Sequence, residues 1–588
     1  MTEVFTVGNT DGDIELIVHD NKIIDILENY VSFESFYTIP PTLRISQLFS
    51  IVPKLKKLIE HEPPLRKDEP VYVNKIGYTP ERGIAKLIQY LEAENHGASQ
   101  TMLKMAEKGV IAFKYLTHLF VVDTFAVSYI NGAPLGLLIE NAGIVQGAYQ
   151  TFFEITGKFI NSNGKDFRYT TKTWTITSFD DVVPISSLSV QPLDEGSELF
   201  ELLEERGKRF EKYAIGNSYL SYSDNMFFVG WGAVFFKAQG RVMIDAASFA
   251  QMNPNYSMGD ARIDMNRQTQ KTKLTNVPTH HYAICSPTLF GFSFTVKKWG
   301  EIFVQHLSPI QFDGNAFHRL VLDPERKKLI LNLVNAENHK ATKNLDLISG
   351  KGSGMIFLLH GSPGVGKTLT GESIAEYLHK PLYSVSSGEL GTDVLSLEKK
   401  LSEILEVASL WQAVILIDEA DIFLEARSEH DIQRNALVGI FLRLLEYHQG
   451  ILFLTTNRVQ SFDLAFKSRI TLSLKYSELD PTARIKIWRT FLDRSEGVDG
   501  WNFDLQELSE VRLNGREIKN VVRLAKVMGE FPDDPIQLAN ILKVLKMMSD
   551  FDQEIETEKK AAQAQYRRRS NRMLSYLMFV LALMSIFF

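Results

Sequence analysis

The run Met355-Ile356-Phe357-Leu358-Leu359-His360-Gly361-Ser362-Pro363-Gly364-Val365-Gly366-Lys367-Thr368 decides how this chain is read. Its first five residues are uniformly apolar, as in a strand buried on both faces, and the stretch after it, Leu369 to Leu378, is helix-like. Between strand and helix lies the octapeptide Gly361, Ser362, Pro363, Gly364, Val365, Gly366, Lys367, Thr368. Glycines there let the backbone curl so that its N–H groups surround a phosphate, and the following helix N-terminus favours negative charge. Lys367 is placed to reach β/γ-phosphates, and the Thr368 hydroxyl to hold Mg²⁺. A plain glycine-rich turn is the alternative; the strand before and the helix after favour a nucleotide-phosphate cradle.

About fifty residues on, Ala413-Val414-Ile415-Leu416-Ile417-Asp418-Glu419-Ala420-Asp421 reads as a second buried strand ending in two acids. Ligands gather at the carboxyl ends of parallel strands, so Asp418 is a candidate Mg²⁺ ligand. Glu419 is the candidate to polarise the water that attacks a γ-phosphate. An acidic turn at a helix start is the bland reading of the same pair. A third run, Ile451 to Asn457, ends in the polar triplet Thr455-Thr456-Asn457, with Asn457 placed to orient water. Twelve residues later, Arg469 is the candidate cation to complete a neighbouring subunit's site, where its role would be to neutralise transition-state charge.

With these motifs in order, the chain resembles the AAA+ ATPases from about Phe317 to Lys546. Gly361 to Thr368 match Walker A, Asp418 and Glu419 the end of Walker B, Asn457 sensor 1, and Arg469 the arginine finger. The resemblance implies an α/β P-loop AAA+ core, a parallel sheet with flanking helices, followed by a small α-helical lid. It implies ATP and Mg²⁺ as cofactors, hydrolysis of the phosphoric anhydride, and assembly with itself into a homo-hexameric ring. Asp480-Pro481-Thr482 reads as an N-cap with proline at the first helical position, opening the lid. Arg516, in Asn514-Gly515-Arg516-Glu517, is where the family places sensor 2; Asn514 and Glu517 also form a capping-box pattern, which is the structural alternative. Two departures stand out. The segment Ser386 to Asp393 has no aromatic residue where unfoldases of the family carry a substrate-gripping pore loop. The finger region offers only Arg469 and Lys467 instead of paired arginines.

Upstream, strings such as Gly240-Arg241-Val242-Met243-Ile244-Asp245 and Lys297-Lys298-Trp299-Gly300 resemble a group of AAA+ proteins abundant in fungi, whose N-terminal domain is uncharacterised. Physically, Tyr169 to Ile176 alternates in β-formers and Met226 to Trp231 is an apolar run, so a mostly β module is expected, interrupted by a helix near Glu198 to Tyr213. The expected layout is a helical, variable extension at 1–110 and a β-rich domain at 111–312 that contacts a protein client. The α/β core follows at 313–478, the lid at 479–549, a charged linker at 550–572 and an apolar tail at 573–588. Adjacent His280 and His281 would point to opposite faces of a strand and lack zinc-ligand spacing, so no metal is assigned there. The one cysteine, Cys285, excludes an intrachain disulfide, fits a reducing compartment and reads as a small core residue.

With 64 basic and 71 acidic residues, the net charge of −7 argues against a dedicated nucleic-acid binder. No N-terminal signal pattern is visible. Met573 to Phe588 is sixteen residues without charge behind Arg567-Arg568-Arg569 and Arg572. As a helix it would reach ~24 Å, short of the ~27 Å of a thin ER bilayer. It is read as a C-terminal anchor holding an intracellular, cytosol-facing protein to the ER or mitochondrial outer membrane, or else as an apolar helix packed on an oligomer partner. Two function classes remain: an ATP-hydrolysing remodelling machine, and a nucleotide-gated binding or scaffold protein with very slow turnover.

Overall fold

The computed structural model describes residues 3–560, except 11–12, 29–41, 62–64, 66–70, 74–77, 147–149, 259–272, 339–353, 392, 428–430, 459–461, 497–500, 530–534, 552 and 556. The chain divides into two compact units, Met1–Ile310 and Gln311–Phe588.

The second unit is built on five parallel strands. In chain order they are Met355–Gly361, Leu382–Ser386, Val414–Asp418, Ile451–Thr456 and Leu472–Tyr476. In space the first strand lies between the fourth and the fifth, with the third beyond the fourth and the second at the edge. The apolar runs predicted this: Phe357, Leu359, Leu416, Leu452 and Phe453 are buried, and Phe357 stacks on Phe453 with ring centroids 4.8 Å apart. Helices Lys367–Leu378, Val394–Trp411 and Ile432–Glu446 flank the sheet. Because every pairing is parallel, Gly361, Asp418 and Thr456 end their strands on one edge.

Beyond the sheet, Asp480 Oδ1 accepts from the Ala483 amide at 2.6 Å and from the Thr482 hydroxyl at 2.8 Å, capping the helix Pro481–Glu496 as its sequence demands. That helix packs with Leu505–Glu510, Gly515–Val527 and the helical residues 538–551 around the fully buried Trp488. This is the α-helical lid.

The first unit is β-rich. A six-stranded antiparallel sheet includes the long strands Ala133–Gln146, Thr151–Ser162 and Phe167–Thr177; a seven-stranded antiparallel sheet includes Asn225–Val229, Ala233–Lys237 and Thr288–Ser293. Both sheets share one core with the helix Glu198–Tyr213, through Ile160, Phe210, Val242 and Leu289. Gly207 and Gly136 admit the segment Thr279–Ile284, since a Cβ on either would lie 2.0–2.1 Å from its carbonyl oxygens.

Three expectations need correction. Residues 1–110, read as helical, also hold an antiparallel sheet of Phe5–Thr10, Asp13–Val18 and Thr42–Arg44, whose last pairing joins residues far apart in the chain. Within residues 111–312, where a single interrupting helix was expected, Ala246–Met252 is a further helix, capped by Asp245. His280 and His281 sit on a 3₁₀ turn with ring centroids 4.1 Å apart instead of on opposite faces of a strand. Cys285 is buried, and burial pushes its thiol pKa up. The tail Met573–Phe588 lies outside the described residues; among those described, no helix is long and apolar enough to cross a membrane.

Candidate functional site

The glycine-rich octapeptide leaves the first strand through Gly361, whose φ of 145° lets it pass Tyr476; a Cβ there would meet the Tyr476 carbonyl at 2.1 Å. Gly364 and Gly366 also take positive φ, 76° and 101°, which bends the loop before the helix Lys367–Leu378 begins. Lys367 Nζ donates to the carbonyls of Gly361 at 2.9 Å and Ser362 at 2.7 Å, and to Asn457 Oδ1 at 2.9 Å. Burial lowers the Lys367 pKa, and the fields of Asp418 and Asp421 oppose that shift.

At the end of the third strand, Asp418 Oδ1 accepts from the Thr368 hydroxyl at 3.0 Å and from the Thr455 hydroxyl. Thr455 Oγ1 in turn accepts from the Glu419 amide at 3.0 Å. Glu419 takes a left-handed φ of 54°, and this threonine is the side chain that ties the strained turn to the neighbouring strand. Asp421 performs the matching task for Asn457. Its Oδ1 accepts from the Thr456 hydroxyl, from the Asn457 amide at 3.1 Å and from the Arg458 amide at 3.3 Å. Thr455, Thr456 and Asp421 were visible in the sequence only as polar residues at strand ends; their pairing requires the third and fourth strands to be neighbours.

These groups surround a cavity of about 670 Å³. Pro363, Gly364, Val365, Gly366, Lys367, Thr368, Asp418, Glu419, Asn457 and Arg516 all line it, whereas Gly361 and Ser362 are not among its lining residues. Asn514 accepts from the amides of Arg516 and Glu517 at 3.0 Å, and Glu517 Oε2 accepts from the Asn514 amide at 2.8 Å. The capping box and the cavity-facing Arg516 are therefore both present, one holding the other. The lid touches the loop directly, the Gly515 amide donating to the Gly364 carbonyl at 3.0 Å. Sequence reasoning missed Lys519, one helical turn past Arg516, and Glu372, whose pKa is raised by burial and by Asp418.

Arg469 is not among the lining residues. Its guanidinium donates to Glu446 Oε2 at 2.9 Å and to the Ala465 carbonyl at 3.0 Å. The segment that lacks a pore aromatic forms a short helix, Ser387–Leu390, with a capping box between Ser386 and Glu389.

The arrangement fits the groups its sequence implies. Two cations, Lys367 and Arg516, act on one another across the cavity beside a glycine loop, a repulsion that a bound polyphosphate relieves. Thr368 and Asp418 offer hard oxygen donors 3.0 Å apart, the donor type Mg²⁺ prefers.

The model of the ATPase family associated with various cellular activities matches residues 357–477, and that of a domain of unknown function, DUF7025, matches residues 101–195. A Lon protease of Salinispora arenicola is 34% identical over 119 residues, covering 18% of this chain and 15% of its own length. A mitochondrial sorting homolog of Caenorhabditis elegans is 29% identical over 178 residues, 29% of this chain and 52% of its own. The ATPase family AAA domain-containing protein FIGL1 of Arabidopsis thaliana is 32% identical over 153 residues, 24% of this chain and 22% of its own. The chain thus spans about half or less of the length of these relatives, and it carries an AAA ATPase family domain.

Proposed function

We propose that this chain, on the strength of its AAA ATPase family domain, binds ATP with Mg²⁺ and hydrolyses it to remodel a macromolecular client, working as a homo-hexameric ring. The observation that carries the reading is the convergence of Lys367, Asp418, Glu419 and Asn457 on one cavity beside the glycine loop. In this reading the loop amides and Lys367 bind the phosphates, and Arg516 grips them from the lid. Glu419 accepts a proton from the attacking water as the water oxygen bonds to the γ-phosphorus and the bond from that phosphorus to the β,γ-bridging oxygen breaks, releasing ADP, and Asn457 orients that water. Thr368 and Asp418 hold Mg²⁺, which when bound neutralises charge on the β- and γ-phosphate oxygens. Arg469 acts in trans, exchanging Glu446 for the γ-phosphate of a neighbouring subunit.

The proposed client-contacting part is residues 111–312. Support comes from the hairpin of Asn225–Val229 and Ala233–Lys237, which carries no charged residue from Asn225 through Phe236 and leaves Trp231 fully exposed between its strands. A nucleotide-gated scaffold is the second reading, favoured by the aromatic-free Ser386–Asp393 segment and by the intrachain pairing of Arg469.

Turnover separates the two. Glu419→Gln should keep ATP binding while steady-state hydrolysis falls tenfold or more, and Lys367→Ala should fail at binding. Mixing Arg469→Ala with Glu419→Gln protein should restore part of the activity, because some interfaces then join an intact Glu419 to an intact Arg469. Wild-type turnover that is negligible, or a rate per subunit independent of concentration in a strict monomer, would reject the hydrolysing ring.

A further inference from the structure

We propose a second anion site in the nucleotide-binding unit: the cleft between the segment Asp313–Lys327 and the lid helix Pro481–Glu496 takes a small ligand carrying two or more phosphate groups. The cleft measures about 890 Å³ and adjoins the nucleotide cavity, sharing Asp313, Arg319, Leu320, Val321, Thr490 and Arg494 with it, while Lys327, Lys486, Arg489 and Asp493 line the cleft and not that cavity. That volume lies within the roughly 300–1,000 Å³ of small-molecule sites.

Its charge is what selects the ligand. Arg319, Lys327, Lys486, Arg489 and Arg494 line it against only two carboxylates, Asp313 and Asp493. Both carboxylates already have partners: Asp313 accepts from Arg319, and Asp493 Oδ1 accepts from Trp501 Nε1 at 2.9 Å. Lys486, Arg489 and Arg494 make no ion pair among the described residues. Among the described residues, Lys327 Nζ donates only to the His318 carbonyl, at 3.0 Å, and lies 6.0 Å from the Phe317 ring centroid. Its pKa is lowered, first by burial and then by the field of Lys486. Two like charges thus converge from separate elements, one on the segment leading into the sheet and one on the lid.

A solvated basic face would spread its charges outward along one element. Here they face each other across a concavity whose lining also includes Leu320, Val321 and Leu322. A multiply charged phosphate group satisfies both walls at once, because each oxygen accepts from a separate ammonium or guanidinium. Bridging the two walls would also hold the lid against the sheet, which makes the ligand a candidate regulator of lid opening.

The test uses the full chain with Lys367→Ala, so that the glycine loop does not compete for phosphate. Inositol hexakisphosphate is titrated calorimetrically into this protein, and into the same protein carrying Lys486→Glu and Arg489→Glu, two positions that do not line the nucleotide cavity. A parallel arm measures co-sedimentation with phosphatidylcholine vesicles with and without phosphatidylinositol bisphosphate. Binding in either arm that weakens at least fivefold in the charge-reversed protein supports the site, and the arm that responds tells a soluble ligand from a lipid headgroup. No binding in both arms, or a change smaller than fivefold, overturns it. Should charge reversal lower the melting temperature, Lys486→Gln with Arg489→Gln is judged by the same fivefold criterion.

Discussion

The polar groups enclosed in the β-rich unit and those lining the cavity of the second unit do different work. In the β-rich unit, Arg206 is buried, makes no ion pair among the described residues and donates to the carbonyls of Pro134 and Cys285, with its pKa lowered by burial to about 10. Glu301, also enclosed, accepts from Tyr256 at 2.6 Å and Thr288 at 2.7 Å, and burial raises its pKa. Glu301 is answered by two hydroxyls and Arg206 through its two terminal nitrogens, its Nε having no partner among the described residues, and what both supply is architecture. In the second unit, Lys367, although its ammonium donates to Gly361, Ser362 and Asn457, lines open space together with Asp418, Glu419 and Asn457. A polar group satisfied by its neighbours fixes a fold, whereas one held in place but still facing a cavity can act on a ligand.

Substitutions can break this contrast. Arg206→Ala should cost about 3 kcal/mol of stability, because it leaves two buried carbonyls unpaired and opens a cavity. Denaturant unfolding would show the loss, while ATP turnover below the transition stays near the wild-type rate. If turnover falls in proportion to stability, the separation of roles is wrong.

Asp421→Ala sharpens the comparison from the other side. Asp421 is not among the residues lining the cavity, yet it holds the strand end that presents Asn457 to Lys367. Losing it should lower kcat about tenfold, equivalent to about 1.4 kcal/mol of barrier, with little change in ATP affinity. Asp421→Glu should recover part of the rate if position is what matters. An unchanged kcat for the alanine variant would remove Asp421 from the catalytic framework.

The smallest effect belongs to the hairpin. Trp231 is fully exposed, so Trp231→Ser should shift stability by less than about 0.5 kcal/mol, whereas a tryptophan that closes a core costs several times that. A larger loss on thermal or denaturant unfolding would mean that Trp231 is covered in solution, and the hairpin would no longer count as a free contact surface.

How much of this was legible beforehand follows from the range of each interaction. The glycine loop, the buried strands and the Asp480-Pro481 helix start are local: strand, turn and cap chemistry act within a few residues, so the order of residues carries them. The three-stranded sheet near the N-terminus was not legible, because pairing Asp13–Val18 with Thr42–Arg44 depends on contacts between distant residues. The adjacent histidines were misplaced because the 3₁₀ turn at Thr279–Ile284 is fixed by close packing at Gly207 and Gly136.

The sequence by itself determined the chemical inventory: a phosphate-cradling loop, two acids at a strand end, a polar strand terminus and a capped lid. Those choices are made by backbone φ, capping and burial, all of which act locally. Only the tertiary structure decided which groups meet. Insertion of the fourth strand between the first and the third sets Thr455 against Asp418, Asp421 against Asn457, and Asn457 against Lys367. The return of the lid past the sheet sets Lys486 near Lys327. The sequence separations are 37, 36, 90 and 159 residues, far beyond the reach of any local rule, and parallel pairing with lid packing closes them.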